Sequence, residues 1–351
     1  MRFLNNSWYV ALFSKEVSRA PRRQIVLGNP VVMYRKEDGS LVALADRCPH
    51  RFAPLSRGQL VGDDIQCPYH GLRFDSKGHC VFNPHGTQVP PKAAQIAAYP
   101  VVERDGLVWL WPGDPEAAEE ALAPDLGEFL DAGRNTLMSG VFTIKANYML
   151  VIDNLLDLSH APFIHSTTLA NPEDMALLRV EIKQNGNTVH ANHYIDQNSP
   201  SPQFKPFWPE GQLGDSRAHM RWDPPCNLQL DVGITAIGRP PEEGPYLHMV
   251  HLLTPVNETE TRYYWIAARN MAVGNEEVSH LMTQAIMHAF QAEDEPIIEA
   301  IQENMGTTDL MSLKPVLLSG DGASVRARRI IESLIKDEIQ AHGPASALAI
   351  S

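Results

Sequence analysis

Two short segments each pair a thiol with an imidazole: Cys48-Pro49-His50, and, after sixteen intervening residues, Cys67-Pro68-Tyr69-His70. Thiolate and neutral imidazole are ligands of zinc and iron. A Cys2His2 set can close a tetrahedral zinc site, although zinc fingers group two cysteines and then two histidines, with the histidines on a helix. Here each segment carries one of each within a β-rich stretch, and Pro49, Pro54 and Pro68 stiffen the turns. Gly71, directly after His70, can take a backbone conformation closed to other residues. The mixed pairing suits a [2Fe-2S] cluster in which Cys48 and Cys67 hold one iron and His50 and His70 the other. A structural zinc ion is the alternative. The other two cysteines, Cys80 and Cys226, read as small core residues.

A second group lies in 147–165 (NYMLVIDNLLDLSHAPFIH). Asn154, Asp157 and His160 are spaced three apart, so on a helix they form one polar stripe among leucines. His165 would turn away on an unbroken helix, but Pro162 can redirect the chain and let the two histidines converge. One buried histidine is ordinarily a core residue with a satisfied ring. Two histidines, an aspartate and an asparagine in one apolar segment would be costly without a shared partner. Two histidines and one carboxylate make the facial triad of non-haem Fe(II) oxygenases. Local spacing nominates Asp157 as that carboxylate.

Both groups need scaffolds, and the 351 residues suffice for two domains. Residues up to about 115 carry short β-prone runs at 24–27, 30–34, 41–45 and 101–111, the last a hairpin turning at Asp105-Gly106. A Pro-, Ala- and acid-rich stretch follows. The remainder mixes a helix over 146–158, a hairpin over 179–194, strands at 227–234, 246–254 and 261–269, and helices over 276–304, kinked at Pro296, and 323–339. The fold class expected is α+β: an all-β domain at 1–115, a linker at 116–135, and at 136–351 a catalytic domain whose antiparallel sheet is covered by helices in a helix-grip-like arrangement. Hydrophobic residues at 44% and charged residues at 20% fit a globular chain. A net charge of −13 disfavours nucleic acid or anionic lipid as a partner. No run approaches the ~20 apolar residues of a membrane span, and the opening segment lacks a signal-peptide pattern, so a cytoplasmic location is expected.

The C-P-H and C-P-Y-H-G pattern resembles the Rieske motif of ring-hydroxylating oxygenases. Respiratory Rieske proteins add two cysteines to these loops, and this sequence has none there. The run D-N-L-L-D-L-S-H-x4-H resembles the mononuclear-iron motif of the same oxygenases. The opening N-x-W-Y-V-A, the W-P-G-D after the first domain and the HLLTP run from His251 to Pro255 resemble the vanillate O-demethylase oxygenase group. The resemblance implies that His160 and His165 are iron ligands. It moves the carboxylate to a late helix, where Asp294 in AEDEPIIE is the best match and Glu293 and Glu295 are neighbouring competitors. Asp157 becomes the bridge for electron transfer between subunits, and Asn154 a polar group near the iron.

The activity so implied is monooxygenation: electrons from a separate reductase and O2 at a mononuclear Fe(II) hydroxylate a methoxy or methyl group of an aromatic acid, with formaldehyde released on O-demethylation. The reductase would be NAD(P)H-dependent, with a flavin and a plant-type [2Fe-2S] centre, and the oxygenase a homotrimer. Alternatives are a hydroxylase of a larger alicyclic substrate, a ring dihydroxylase, or, in another class, an electron carrier with the Rieske cluster alone. His251 is a candidate substrate contact, and Met220, Trp222, Leu230 and Met287 are candidate pocket residues. The Pro- and aromatic-rich stretch 197–212 is read as a lid or a surface loop. Arg47, Arg51, Arg57, Arg73 and Lys77 crowd the cluster loops and form either a docking patch for an acidic reductase or scattered surface charge.

Overall fold

A computed structural model describes residues 3–342. The described residues group into two compact units, one of residues 126–334 and one in which 3–125 are joined by 335–342. Among the described residues no helix is long and apolar enough to cross a membrane.

Among the described residues the first unit, the one that holds 3–125, has ten short strands: β1 (Tyr9–Phe13), β2 (Arg22–Val26), β3 (Asn29–Arg35), β4 (Leu41–Ala45), β5 (Gln59–Val61), β6 (Asp64–Gln66), β7 (Arg73–Phe74), β8 (Cys80–Phe82), β9 (Val101–Arg104) and β10 (Leu107–Leu110). They form three antiparallel sheets, ordered β1-β10-β9, β2-β3-β4 and β5-β6-β7-β8. Asp105 and Gly106 both take positive φ between β9 and β10, as the tight hairpin turn requires. Tyr34, Leu44, Leu55, Ile65 and Phe74 build a core into which Cys48 and Cys67 are packed. The two sulfur-bearing loops differ in kind. The second, between β6 and β7, is a hairpin tip, whereas the first joins β4 of one sheet to β5 of another.

The second unit is built on one seven-stranded antiparallel sheet. Its strands are β11 (Thr136–Ile144), β12 (Arg179–Asn185), β13 (Thr188–Asn198), β14 (Gly214–Asp223), β15 (Asn227–Ala236), β16 (Tyr246–Asn257) and β17 (Glu260–Arg269), in the order β11-β17-β16-β15-β14-β13-β12. Register places His193, Ala218, Val232 and Leu247 in one row across β13 to β16, with Ala191, Met220, Leu230 and Met249 in the next. Directly paired residues share a face, so these rows make one floor, apolar except for His193 at its β13 edge. The reverse face carries Arg217 and Asp231, joined at 2.8 and 2.9 Å.

The helices are α1 (Gly127–Leu130) before β11, α2 (Tyr148–Leu156) and α3 (Ala161–Ile164) between β11 and β12, and α4 (Glu276–His288), α5 (Glu295–Met305) and α6 (Gly322–His342) after β17. Asn147 caps α2 by accepting the Met149 N–H at 3.0 Å, and seven of the nine residues of α2 are buried. The expected polar stripe is broken at Asp157, not at Pro162. Asp157 leaves helical geometry (φ −115°, ψ 86°) and its Oδ1 accepts the Ser159 N–H at 3.0 Å, starting a 3-10 turn that leads into α3. Pro162 sits in the first turn of α3, where its missing N–H costs nothing.

The distortion expected at Pro296 also lies earlier. Between α4 and α5 the helix widens into a π turn, Ala289–Asp294, in which Glu295 N–H reaches back five residues to Phe290 C=O. Pro296 has no N–H to continue the α ladder, which favours the wider turn. The buried positions Ile286, Phe290, Asp294, Ile298 and Gln302 recur every four residues. On an uninterrupted α-helix each such step drifts about 40°, so the row would wind off the core. One widened turn, equivalent to one extra residue, takes most of that drift back. The sequence reading misses β1 and the short strands β5 to β8 of the first unit, and two strands of the second: β11, whose alternation is interrupted by Gly140, and β14, whose reverse-face residues include Arg217, His219 and Arg221.

Candidate active site

In the first unit Cys48 and Cys67 are buried at 1% and 2% exposure, while the rings of His50 and His70 meet 4.5 Å apart nearer the surface. Backbone hydrogen bonds close both loops: Cys48 N–H to Ala53 C=O at 2.9 Å, and Cys67 N–H to Leu72 C=O at 2.8 Å. Gly71 takes φ +75°, the left-handed turn that brings His70 back beside its cysteine. Asp46, buried, holds the first loop by accepting both the backbone N–H and the hydroxyl of Ser56, at 2.6 and 2.7 Å, and is paired with Arg23 at 2.9 Å. Burial and the adjoining Cys67 thiol push the Cys48 thiol up to about 11, so ionising this pair calls for a cation that takes the charge. Two thiols inside and two imidazoles outside suit a cluster that spans two irons.

Of the expected basic residues, Arg51, Arg57 and Lys77 are exposed. Arg47 and Arg73 are not free surface charges. Their guanidinium groups stack on Phe52 and Phe82 at 3.9 and 4.0 Å.

In the second unit His160, His165 and Asp294 each offer a ligand atom, all within 4.8 Å of one another. Asp294 Oδ1 lies 3.2 Å from His165 Nε2 and 3.6 Å from His160 Nε2. The outer nitrogens are both engaged. His160 Nδ1 is 2.6 Å from the Asp157 main-chain oxygen, and His165 Nδ1 is 2.7 Å from Glu293 Oε2, which also accepts the Thr168 hydroxyl at 2.8 Å. With Nδ1–H donated outward, each ring presents an Nε2 lone pair to the centre, the arrangement that orients metal-binding histidines. Glu293 is thus behind His165, not in the triad, and Glu295 lies beyond the π turn near Glu299 and Lys145. Asn154 Nδ2 donates to Asp294 Oδ1 at 3.1 Å. Burial pulls His165 down, yet Asp294 and Glu293 lift it above its ordinary value, while burial lowers His160. The Asp157 carboxylate packs on Gly320, where a Cβ would lie 2.7 Å from Oδ2.

The triad opens onto a cavity of about 180 Å³ over the apolar rows of the sheet. Met220 and Leu230 line it as expected, whereas Trp222 and Met287 do not; the Met287 sulfur instead accepts the Trp265 indole N–H at 3.3 Å. Ser201, Gln203 and Phe204 from the stretch 197–212 form part of its wall. His251 lines it too, 1% exposed, with Nδ1 2.6 Å from the Tyr263 hydroxyl and its ring held near Phe290. Burial pushes His251 down to about 3, so it is neutral near pH 7. Sequence reasoning missed His193, a buried imidazole on the same wall; its inward alternation on β13 was the available signal.

The Rieske [2Fe-2S] domain family matches residues 7–100, and the vanillate O-demethylase oxygenase C-terminal domain family matches residues 144–337. The chain belongs to the vanillate O-demethylase oxygenase family. Dicamba O-demethylase, oxygenase component, of Stenotrophomonas maltophilia is 36% identical over 335 residues, covering 95% of this chain and 98% of that one. The structure of dicamba monooxygenase bound to 3,6-dichlorosalicylic acid matches with a TM-score of 0.90 at 34% identity, over 97% of this chain and 100% of that chain. Dicamba monooxygenase with non-heme iron and dicamba matches with a TM-score of 0.84 at 33% identity, with the same coverage. The chain is accordingly a Rieske monooxygenase of the vanillate O-demethylase type, an oxygenase component with an all-β Rieske domain followed by an α+β catalytic domain.

Proposed function

We propose that this oxygenase component removes the methyl group of an aromatic methoxy compound, most simply an aromatic acid, by hydroxylating it. The hemiacetal so formed collapses to a phenol and formaldehyde. Cys48, Cys67, His50 and His70 are the ligands of the [2Fe-2S] cluster, and His160, His165 and Asp294 those of a single Fe(II). Bound there, the two centres supply one-electron transfer and O2 activation. The observation that carries this reading is the convergence of the three ligand atoms within 4.8 Å beside an apolar cavity.

The chain's own residues have separate tasks. The rows of Met220, Leu230 and Met249 take the arene and exclude water, and His251 contacts an anionic or phenolic group on it. Asn154 donates to Asp294 and steadies its carboxylate, while Glu293 and the Asp157 carbonyl hold the two histidines in the ligating tautomer. The Asp157 carboxylate bridges to His70 of a neighbouring copy in a homotrimer. Residues 1–115 form the electron-entry domain, 116–135 a linker and 136–351 the catalytic domain. A cytoplasmic reductase with a flavin and a plant-type [2Fe-2S] centre supplies electrons from NAD(P)H.

Metal analysis together with turnover tests the reading. About three irons and two acid-labile sulfides per chain are expected. Methoxybenzoates supplied with reductase, NADH and O2 should yield formaldehyde in step with substrate consumed. Substrate loss without formaldehyde would favour a hydroxylase of an alicyclic substrate or a ring dihydroxylase, and cluster iron alone would leave only an electron carrier.

A further inference from the structure

The His251–Tyr263 pair sits where the cavity meets the apolar interior, and its hydrogen bonding is not symmetric. Tyr263 is 3% exposed and His251 1%, and Phe142 and Phe290 pack on the tyrosine ring at 4.7 and 5.2 Å. The 2.6 Å contact between Tyr263 Oη and His251 Nδ1 can carry a proton from either side. If Nδ1–H donated, the tyrosine hydroxyl proton would need an acceptor of its own, and Nε2 would be a buried lone pair without a donor. If the hydroxyl donates, both Tyr263 Oη and Nδ1 are satisfied and one group remains, His251 Nε2–H. Nε2 is buried with no hydrogen-bond partner among the described residues. Leaving one buried group unpaired costs less than leaving two.

We propose that Tyr263 is a positioning residue for substrate recognition: it donates its hydroxyl proton to His251 Nδ1 and thereby fixes the imidazole as a neutral Nε2–H donor for a hydrogen-bond acceptor on the substrate. This rests on the reading of His251 as a substrate contact and gives that contact its chemistry. The ligand class follows from it. The bound arene carries, apart from the methoxy group that reacts, a carbonyl, carboxylate or phenolate oxygen within reach of His251, and the site offers that oxygen a hydrogen bond instead of a full positive charge. Burial keeps the tyrosine hydroxyl protonated and the imidazole neutral near pH 7, which agrees with a fixed donor. A cationic residue does line the cavity, Arg217, but it stands at a strand position that alternates with the floor rows and its guanidinium is paired with Asp231 at 2.8 Å.

Two measurements on the holoenzyme test this. Neutron diffraction should find deuterium on Tyr263 Oη directed at Nδ1 and on Nε2 of His251; deuterium on Nδ1 would overturn the proposal whatever the substrate. In equilibrium dialysis, 2-methoxybenzoate should bind the wild-type enzyme more tightly than anisole, which lacks the second acceptor group. Tyr263→Phe should weaken 2-methoxybenzoate binding about tenfold, the scale of one hydrogen bond, and leave anisole unchanged. Equal weakening of both ligands would mark Tyr263 as merely structural and defeat the proposal. Equal affinity of the wild type for the two probes, or a His251→Gln variant that preserves their ratio, would defeat the substrate contact itself, while a wild-type ratio in Tyr263→Phe alone would defeat only the tyrosine's part.

Discussion

Glu293 gives a quantitative handle on the proposed iron site without touching a ligand. Its Oε2 accepts from His165 Nδ1 at 2.7 Å and from Thr168 Oγ1 at 2.8 Å, and its side chain is 13% exposed. The donor behind it, His165, has only 3% of its side chain exposed, so water is poorly placed to replace the carboxylate. Glu293→Ala therefore leaves a buried N–H without an acceptor, a cost of about 1–3 kcal/mol. Expressed as metal affinity this is roughly tenfold to a hundredfold, the range typical for losing the carboxylate behind a metal-bound histidine. Glu293→Gln keeps an acceptor and loses the charge, and should fall between the wild type and the alanine variant. The assay is iron retention against a graded chelator, with the visible absorption of the Rieske cluster as internal control, followed by formaldehyde production in excess Fe(II). The expected result is weakened mononuclear iron, an intact cluster and partial rescue of turnover by added iron. Iron affinity and turnover equal to wild type in Glu293→Ala would refute the orientation argument, and loss of cluster absorption would show that the damage is global.

Asp157→Asn should retain both metal centres, because His160 is held by the main-chain oxygen of residue 157, yet lose coupled turnover; wild-type activity would sink the bridging role. Acidification should expose the burial of His251. With a folded pKa of about 3 and an unfolded one of about 6.5, the unfolded chain takes the proton first as pH falls. The contribution is fully present above about pH 6.5 and is lost downward from there, at up to about 1.4 kcal/mol per pH unit. His251→Gln should flatten the dependence of the urea midpoint on pH between about 7 and 5, and an unchanged slope would count against it.

The metal-binding loops are the part of the site most legible in the sequence, because ligand type and spacing state their chemistry before any fold is known. Cys48, His50, Cys67 and His70 need only two turns, and prolines and Gly71 announce those turns. The convergence of His160 and His165 was also readable, but its cause was not: Asp157 reverses the backbone and caps the next turn with its own side chain. The choice among Glu293, Asp294 and Glu295 is a question of helical phase, and three consecutive acids give no hint of phase when the helix beneath them is widened. His193 and Tyr263 are ordinary strand residues by spacing. Alternation says which face they share, and only the packing of Phe290 and the neighbouring strands says what they meet. The sheet was legible where β-branched residues alternate and was lost in β11 and β14, where a glycine and outward charges weaken the pattern.

The π turn has a consequence for how this enzyme can diversify. Phe290 packs against Tyr263 and near His251 at one end of the turn, and Asp294 faces His160 and His165 at the other. Closing the turn to regular α geometry at unchanged length would rotate the chain beyond it by up to about 100° relative to Phe290's partners. Phe290 and Asp294 are therefore held in register by the widened turn, and a change that closed it without shortening the chain would disturb specificity and metal binding together. New substrates must be reached by exchanging side chains on the sheet floor and in the 197–212 wall, leaving the spacing from Phe290 to Asp294 as the common ruler.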